Sequence, residues 1–119
     1  PMSLFAANNI ARAVVTYHRN GVTLAGIVAN MRGVGVSPAP IERLAKALNS
    51  QVIAIIEREP LIMKAEREQK TIVEYAPDCN AAKALNALAT RVRELDTSTV
   101  PLPTPLDDDA FFEFMRTNE

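Results

Sequence analysis

The fold is decided by residues 22–56, which read VTLAGIVANMRGVGVSPAPIERLAKALNSQVIAII. The two ends of this stretch, residues 22–29 and 51–56, are short and almost wholly apolar, which is typical of strands buried in a parallel sheet. Between them lies an apolar stripe at helical spacing, made of Ile41, Leu44, Ala45 and Leu48. The stretch therefore predicts a β-α-β unit with a right-handed crossover. Asn49-Ser50 is predicted to end its helix.

The loop at 31–40 leads into that helix. Ser37 is predicted to cap the helix, with Pro38 in the first turn. Upstream, residues 3–19 form a further amphipathic helix that ends at Asn20-Gly21. The apolar face of this first helix is predicted to consist of Ala7, Ile10, Ala11, Val14 and Val15.

Downstream, residues 60–68 predict a short helix and residues 71–75 a short extended stretch. Asp78 is predicted to cap a long helix. The inner face of this long helix is predicted to comprise Ala82, Leu85, Leu88, Ala89 and Val92. The Pro/Thr-rich residues 97–105 are predicted to be extended. They precede a closing helix whose N-terminus carries Asp107, Asp108 and Asp109, where negative charge is favoured.

Two strands do not make a stable parallel sheet, because such sheets need more strands and helices on both faces. The helix at 3–19 also lacks a sheet to pack on. We therefore expect several further strands upstream, and an α/β fold that is the C-terminal portion of a doubly wound parallel sheet with flanking helices. The alternative is a small α/β domain that completes its sheet by dimerising.

Composition excludes several classes of protein. The formal net charge is -1, which disfavours a nucleic-acid partner. No run of about 18 apolar residues exists, so no membrane span is expected, and the N-terminus lacks the features of a signal peptide. A single cysteine, Cys79, fits a reducing, cytoplasmic compartment and excludes both an internal disulfide and an all-cysteine metal cage within one chain.

Polar side chains follow both predicted strands. Asn30 follows the first strand, and Glu57-Arg58-Glu59 follows the second. Carboxyl ends of parallel strands share one edge, which is where open α/β sheets bind ligands. Asparagine offers a donor and an acceptor, as does the edge of adenine, and Arg58 can stack on a base or pair with Glu59. The alternatives are a simple turn-forming asparagine and a solvated charged turn.

Other chemistry is missing from the sequence. The pair Gly33-Val34-Gly35 is not followed by Lys-Ser/Thr, so no phosphate-binding G-x-x-x-x-G-K-[ST] loop is present. No His/Cys/Asp cluster has metal-ligand spacing. Cys79, at the start of the long helix, is either a reactive thiol or an ordinary helix-start residue.

Several segments resemble, in order and spacing, the nitrogenase iron protein (dinitrogenase reductase) family. They are residues 3–10 (SLFAANNI), 24–32 (LAGIVANMR), 55–59 (IIERE), 64–66 (KAE), 70–78 (KTIVEYAPD) and Pro105-Leu106 with the aspartates after it. Nearly the whole chain is covered. The resemblance makes this chain the C-terminal portion of a P-loop NTPase fold, with residues 1–96 in the ATPase-like α/β domain and residues 97–119 as an extended tail and closing helix.

The resemblance also implies a function for the whole protein. Members of this family are homodimers that bind ATP and Mg²⁺ and hold a [4Fe-4S] cluster through cysteines of both subunits. ATP hydrolysis gates electron transfer to a larger catalytic partner. The P-loop, the switch segments and the cluster cysteines map upstream of residue 1, and Cys79 matches neither cluster ligand. The family's adenine pocket maps onto Asn30, Glu57, Arg58 and Glu59.

The sequence departs from the family at identifiable positions. Glu57 stands where the family usually has proline, and Glu59 where it has aspartate. Ala81 and Leu85 replace a glutamine and a tyrosine found near the nucleotide. Nitrogenase-like reductases, such as the protochlorophyllide and chlorophyllide reductase subunits, are close relatives. The other hypotheses are an inactive fragment and a partition or cell-division P-loop ATPase, whose expected basic terminal helix contrasts with the acidic residues 107–119.

Overall fold

The structure is a computed structural model that describes residues 2–33 and 35–117. It is a mixed α/β chain. Its helices are α1 (Met2–Tyr17), α2 (Ala39–Ala47), α3 (Leu61–Arg67), α4 (Ile72–Tyr75), α5 (Asn80–Glu94) and α6 (Asp108–Thr117), its strands are β1 (Ile27–Asn30) and β2 (Val52–Ile56), and short 3₁₀ turns cover His18–Asn20 and Thr97–Thr99. None of the helices in these ranges is long and apolar enough to cross a membrane.

The chain divides into two compact units. The first contains Pro1–Ile27, Ala39–Val52 and Asp96–Glu119, and the second contains Val28–Pro38 and Ile53–Leu95. Each unit has its own cluster of buried apolar side chains.

The two strands are neighbours in one parallel sheet, as predicted. The amide of Ile27 donates to the carbonyl of Gln51 and the amide of Met31 to that of Ile56, each at 2.8 Å. The prediction that the first strand spans residues 22–29 was wrong at both ends. β1 begins only at Ile27, because residues 49 and 50, which precede Gln51, form the end of a helix and give residues 22–26 no strand to pair with. It also extends to Asn30, which is therefore part of the strand.

The core of the first unit joins α1, α2 and the tail. Ala11, Leu44 and Leu48 are fully buried, and six partly buried residues pack on them: Leu4, Ala7, Leu24, Ile27, Leu106 and Phe114. This confirms the apolar stripe predicted for α2. On α1, Ala11 and Val14 are buried as predicted, but Ile10 is 58% exposed. The predicted face was wrong there because the buried stripe passes through Asn8, which the apolar pattern does not include.

Helix α2 begins at Ala39, one residue later than predicted, so that Pro40 lies in its first turn. Its end is as predicted. Asn49 adopts a left-handed backbone (φ 58°), its amide donates to the carbonyl of Lys46, and the amide of Ser50 donates to that of Ala45. This pair of bonds is the Schellman motif, in which asparagine is one of the few residues that accept the left-handed position.

The core of the second unit is built on Ile56, Ile72 and Ala81, with partly buried side chains around them: Leu61, Ile62, Val73, Ala76, Cys79, Ala84 and Leu85. α3 confirms the short helix predicted at 60–68. The predicted inner face of α5 holds for its first half, but Ala89 and Val92 are exposed. The cluster touches α5 only between residues 81 and 85, so the helix leaves the core before those positions.

The extended stretch predicted at 71–75 was wrong, since Ile72–Tyr75 is the helical turn α4. The β-branched Ile72 and Val73 favour extended backbone. However, the Thr71 side chain accepts from the amide of Glu74, and the Glu74 carboxylate accepts from the amide of Thr71, at 3.2 and 3.1 Å. This capping box satisfies the helix donors and outweighs the propensity of the two side chains.

The cap predicted at Asp78 was also wrong, because α5 is capped by the next residue. Cys79 Sγ accepts from the amide of Ala82 at 3.4 Å. The amide of Cys79 donates to the carbonyl of Ala76, a turn that leaves Asp78 two residues before the first residue of the helix, Asn80.

The tail runs mostly without regular structure, as predicted, apart from the single turn Thr97–Thr99. The amide of Thr104 donates to the carbonyl of Leu48 at 2.8 Å. At the start of α6, Asp107 Oδ1 accepts from the amide of Ala110 at 2.8 Å, and Asp108 and Asp109 lie in the first turn. The prediction of negative charge at this helix start is confirmed.

Candidate functional site

A cavity of about 310 Å³ lies in the second unit, at the carboxyl edge of the sheet. This volume is at the lower end of the range of small-molecule sites. The residues that line it are Met31, Gly33, Gly35, Val36, Pro38, Ile55, Glu57 and Arg58. The lining side chains are apolar except those of Glu57 and Arg58, which are neighbours in the sequence.

The sheet positions this cavity. Because the amide of Met31 donates to the carbonyl of Ile56, the two strands end at the same edge and their following loops leave together. The second loop therefore starts with Glu57 beside the first loop, which starts with Met31. This is the edge at which open α/β sheets bind ligands.

Two glycines shape the first loop. A Cβ added at Gly33 would stand 2.5 Å from Cγ2 of Val36, so any larger residue displaces a wall of the cavity. Gly35 has a φ of +74°, in the left-handed region that glycine adopts without steric cost. Sequence reasoning missed these residues and the apolar walls. The Gly-x-Gly pattern after a strand was the available signal.

The structure brings two of the four predicted site residues into the cavity. Glu57 and Arg58 line it, both side chains are exposed, and within residues 2–33 and 35–117 neither forms a hydrogen bond or an ion pair. The pairing of Arg58 with Glu59 is thus not found. Both groups are available to a ligand.

The other two predicted residues lie beside the cavity without lining it. Asn30 is the exposed last residue of β1, one position before the cavity wall. Glu59 is half-buried, and its carbonyl accepts from the amide of Ile62 at 3.1 Å as α3 begins. Two of the positions where the sequence departs from the family's usual residues lie in the core of the second unit. Ala81 is buried there and Leu85 is half-buried.

A second depression of about 400 Å³ lies in the first unit and opens widely to solvent. Its polar groups bind one another. The Arg12 guanidinium donates to the carbonyl of Leu106 at 2.9 Å and lies 4.0 Å from Asp108 Oδ1. With its donors and acceptors engaged internally, this depression is the weaker candidate for a ligand site.

A comparison with known protein families bears on the identity of the chain. The sequence model of the family described as "4Fe-4S iron sulfur cluster binding proteins, NifH/frxC family" matches residues 1–119. The chain belongs to this family. The match confirms the resemblance to nitrogenase iron proteins and the assignment of the fold as an α/β fragment of a P-loop NTPase.

The residues of this NifH/frxC-family chain do not fit the family's cluster. A [4Fe-4S] cluster is held by four thiolates, whereas the sequence has one cysteine. That cysteine is half-buried, and its sulfur caps α5. In the described ranges, no three His, Cys, Asp or Glu side chains are grouped so that they could hold a metal ion. Among the described residues, the cavity lined by Glu57 and Arg58 is therefore the candidate ligand site.

Proposed function

We propose that this chain is the C-terminal segment of an ATP-dependent iron–sulfur reductase component that passes electrons to a nitrogenase or nitrogenase-like catalytic partner. The observation that carries the proposal is the family match over residues 1–119. The complete protein is proposed to be a cytoplasmic homodimer. Its cluster cysteines and phosphate loop are proposed to lie outside this sequence, and the division into residues 1–96 and 97–119 remains a prediction.

The proposed task of this segment is to hold the adenine of ATP. Asn30, Glu57, Arg58 and Glu59 are the proposed adenine-pocket residues. The apolar walls suit the faces of a base, since Met31, Val36 and Ile55 offer contact area without competing polar groups. Arg58 supplies hydrogen-bond donors, and its planar guanidinium can also stack on the ring.

The segment contributes binding and orientation rather than bond chemistry. In the proposed complete protein, a cluster held by cysteines outside this sequence would supply the electron, and ATP hydrolysis would gate its transfer. The residues at the cavity fix where the base sits, and the position of the base in turn fixes where the phosphates of the nucleotide reach. Phosphate contacts dominate nucleotide affinity, so base contacts tune affinity rather than create it.

The proposal is tested on the protein expressed from its complete reading frame and purified anaerobically. We expect a brown protein with iron–sulfur absorption that binds MgATP in isothermal titration calorimetry. It should also support ATP-dependent reduction of a catalytic component. A colourless protein that binds ATP but transfers no electrons would point to a partition-type ATPase and overturn the proposal.

The Asn30→Ala variant tests the adenine assignment. We expect loss of one or two hydrogen bonds, about 1–3 kcal/mol in ATP binding free energy. The matched control is Asn9→Ala, because Asn9 is an exposed asparagine of α1. If both variants bind ATP as the wild type does, Asn30 is only a strand-end residue.

A further inference from the structure

The tail bonds to the rest of the first unit through alternate residues. Between residues 101 and 105 every second position is proline, which has no amide hydrogen to donate. The backbone groups that form hydrogen bonds with α1 and with the end of α2 belong to the residues that alternate with these prolines, namely Leu102, Thr104 and Leu106. Alternate residues of extended backbone direct their amides and carbonyls to the same edge, so the prolines leave this bonding edge intact.

One end of the alternating segment closes α2. The last carbonyls of a helix have no partner within the helix. Thr104 supplies partners for two carbonyls at this end: its amide donates to that of Leu48 at 2.8 Å and its hydroxyl to that of Ala47 at 3.1 Å. In return, Asn49 Nδ2 donates to the carbonyl of Leu102 at 3.3 Å. The tail thus takes the place of solvent at the end of α2.

The other end of the segment is fixed to α1. Asn8 bonds both backbone groups of Leu106, each at 2.8 Å, and Arg12 Nη2 donates to the same carbonyl at 2.9 Å. Helix α6 follows directly, and its Phe111 is only 6% exposed. The rings of Phe5 and Phe111 meet edge to face with their centroids 5.6 Å apart. The closing helix is therefore held on α1 by the bonds at Leu106 and by this aromatic pair.

We infer that residues 102–117 form a latch that closes over α1 and α2 and opens as one cooperative unit while these two helices stay packed. Proline fixes its own φ and confines the residue before it to extended backbone. The segment between the two ends is therefore stiff, and it cannot absorb the release of one end by a local change of conformation. Releasing either end should loosen the other.

The two helices keep contacts of their own when the latch is open. Ala11 of α1 and Leu44 and Leu48 at α2 are fully buried in one cluster, whereas Leu106 and Phe114 of the latch pack on that cluster only partly buried. Regions with fewer buried apolar contacts open at a lower free energy than the core that supports them. The latch is thus a conformational device whose opening uncovers the α1–α2 core, and it does not depend on the proposed function.

Hydrogen exchange followed by mass spectrometry tests the latch on the protein from its complete reading frame. In the wild type we expect the protected amides of residues 102–117 to exchange at least about tenfold faster than those of α1. Thr104→Val keeps the branched shape and the backbone amide but removes the hydroxyl bond to Ala47. We expect exchange to become about fivefold faster throughout the latch, including α6, although the lost bond lies at α2.

A second variant acts from the opposite end. Asn8→Ala removes both bonds to Leu106, and we expect exchange about tenfold to a hundredfold faster throughout the latch, including the amide of Thr104. Asn9→Ala is the matched control, because Asn9 is an exposed asparagine of the same helix, and it should leave exchange of the latch unchanged.

The distribution of the faster exchange decides the outcome. Equal acceleration of residues 102–106 and of α6 in Thr104→Val supports the latch. Acceleration confined to residues 102–106 would show that the contacts break independently, and it would overturn the inference. Wild-type latch amides that exchange no faster than those of α1 would overturn it too, since the tail would then open only when the whole unit unfolds.

Discussion

Asn8 and Leu106 are joined by two reciprocal hydrogen bonds, although 98 residues separate them in the chain. Asn8 Nδ2 donates to the carbonyl of Leu106 and the amide of Leu106 donates to Asn8 Oδ1, both at 2.8 Å. Asn8 is only 2% exposed. One amide side chain thus satisfies both backbone groups of a tail residue where it crosses α1.

Replacing Asn8 should release this part of the tail. Asn8→Ala leaves the amide and carbonyl of Leu106 without these partners, and we expect the free energy of unfolding to fall by about 1–3 kcal/mol in urea titrations. Asn9→Ala is the control, because Asn9 is exposed, and it should change stability by less than about 0.5 kcal/mol. Equal effects of the two substitutions would show that the two Asn8–Leu106 hydrogen bonds contribute nothing to stability.

Replacing Gln69 with glycine should stabilise the protein. It has a φ of 56°, and its amide and that of Lys70 donate to the carbonyls of Glu66 and Ala65 in a Schellman motif at the end of α3. A residue with a side chain pays about 1–2 kcal/mol to adopt left-handed backbone. Glycine avoids this strain, but its greater loss of backbone entropy on folding cancels about 0.5–1 kcal/mol of the gain. Gln69→Gly should therefore raise the free energy of unfolding by about 0.5–1 kcal/mol.

The control for Gln69→Gly is Asn49→Gly, made at the equivalent position of α2. Asparagine tolerates the left-handed region, and Asn49 Nδ2 also donates to the carbonyl of Leu102 at 3.3 Å. We expect this substitution to give no gain in thermal or urea stability. A loss of stability in Gln69→Gly would contradict the assignment of backbone strain to Gln69.

The capping box makes α4 sensitive to acid. Hydrogen bonds from the backbone amide and the hydroxyl of Thr71 lower the pKa of Glu74 from its ordinary value of 4.5, and Lys70 adds a smaller electrostatic contribution. Because the folded-state pKa is below the unfolded one, its contribution to stability is fully present above pH 4.5. It is lost as the pH falls through the folded-state pKa.

A carboxyl titration followed by NMR tests this prediction. We expect the Glu74 midpoint to lie below the ordinary glutamate pKa of 4.5. In Thr71→Val the midpoint should move part of the way back, since the hydroxyl is lost but the backbone amide remains. An unshifted midpoint in the wild type would show that the box does not form in solution.

Arg91 protects the backbone of β2. Its Nη1 donates to the carbonyl of Ile53 at 2.8 Å, and in the described part of the chain β2 has a strand neighbour on one side only. Arg91→Ala should lower the free energy of unfolding by about 1 kcal/mol and speed amide exchange in β2. Arg93→Ala removes another exposed arginine of the same turn and should leave exchange unchanged. Equal amide exchange rates of β2 in the two variants would show that the Arg91–Ile53 hydrogen bond does not protect the strand.

Much of the fold followed from local patterns. The apolar stripe of α2, the paired strands and the acidic start of α6 were predicted from the spacing of a few side chains and are confirmed. The errors at Thr71 and Cys79 arose where side chains bond to nearby backbone. The T-x-x-E signal was present at 71–74 but competed with two β-branched residues, and a thiol is a weak acceptor that sequence reasoning passes over in favour of Asp78.

The site was predicted less completely. Strand order placed Asn30 and Glu57 at one sheet edge, because parallel strands that follow a crossover helix must end together. Which side chains enter the cavity depended on the loop path after β1. That path is fixed by Gly33, Gly35 and Val36, whose contacts are a matter of packing rather than of pattern.

The sequence by itself determined the α/β class, the position of the crossover helix and the family, because these rest on periodicity and on ordered short-range motifs. Only the tertiary structure decided that β1 starts at Ile27, that Asn8 is buried against Leu106, and that Glu57 and Arg58 reach the cavity while Glu59 does not. Those features depend on which backbone groups find partners from distant parts of the chain, and no local pattern encodes that choice.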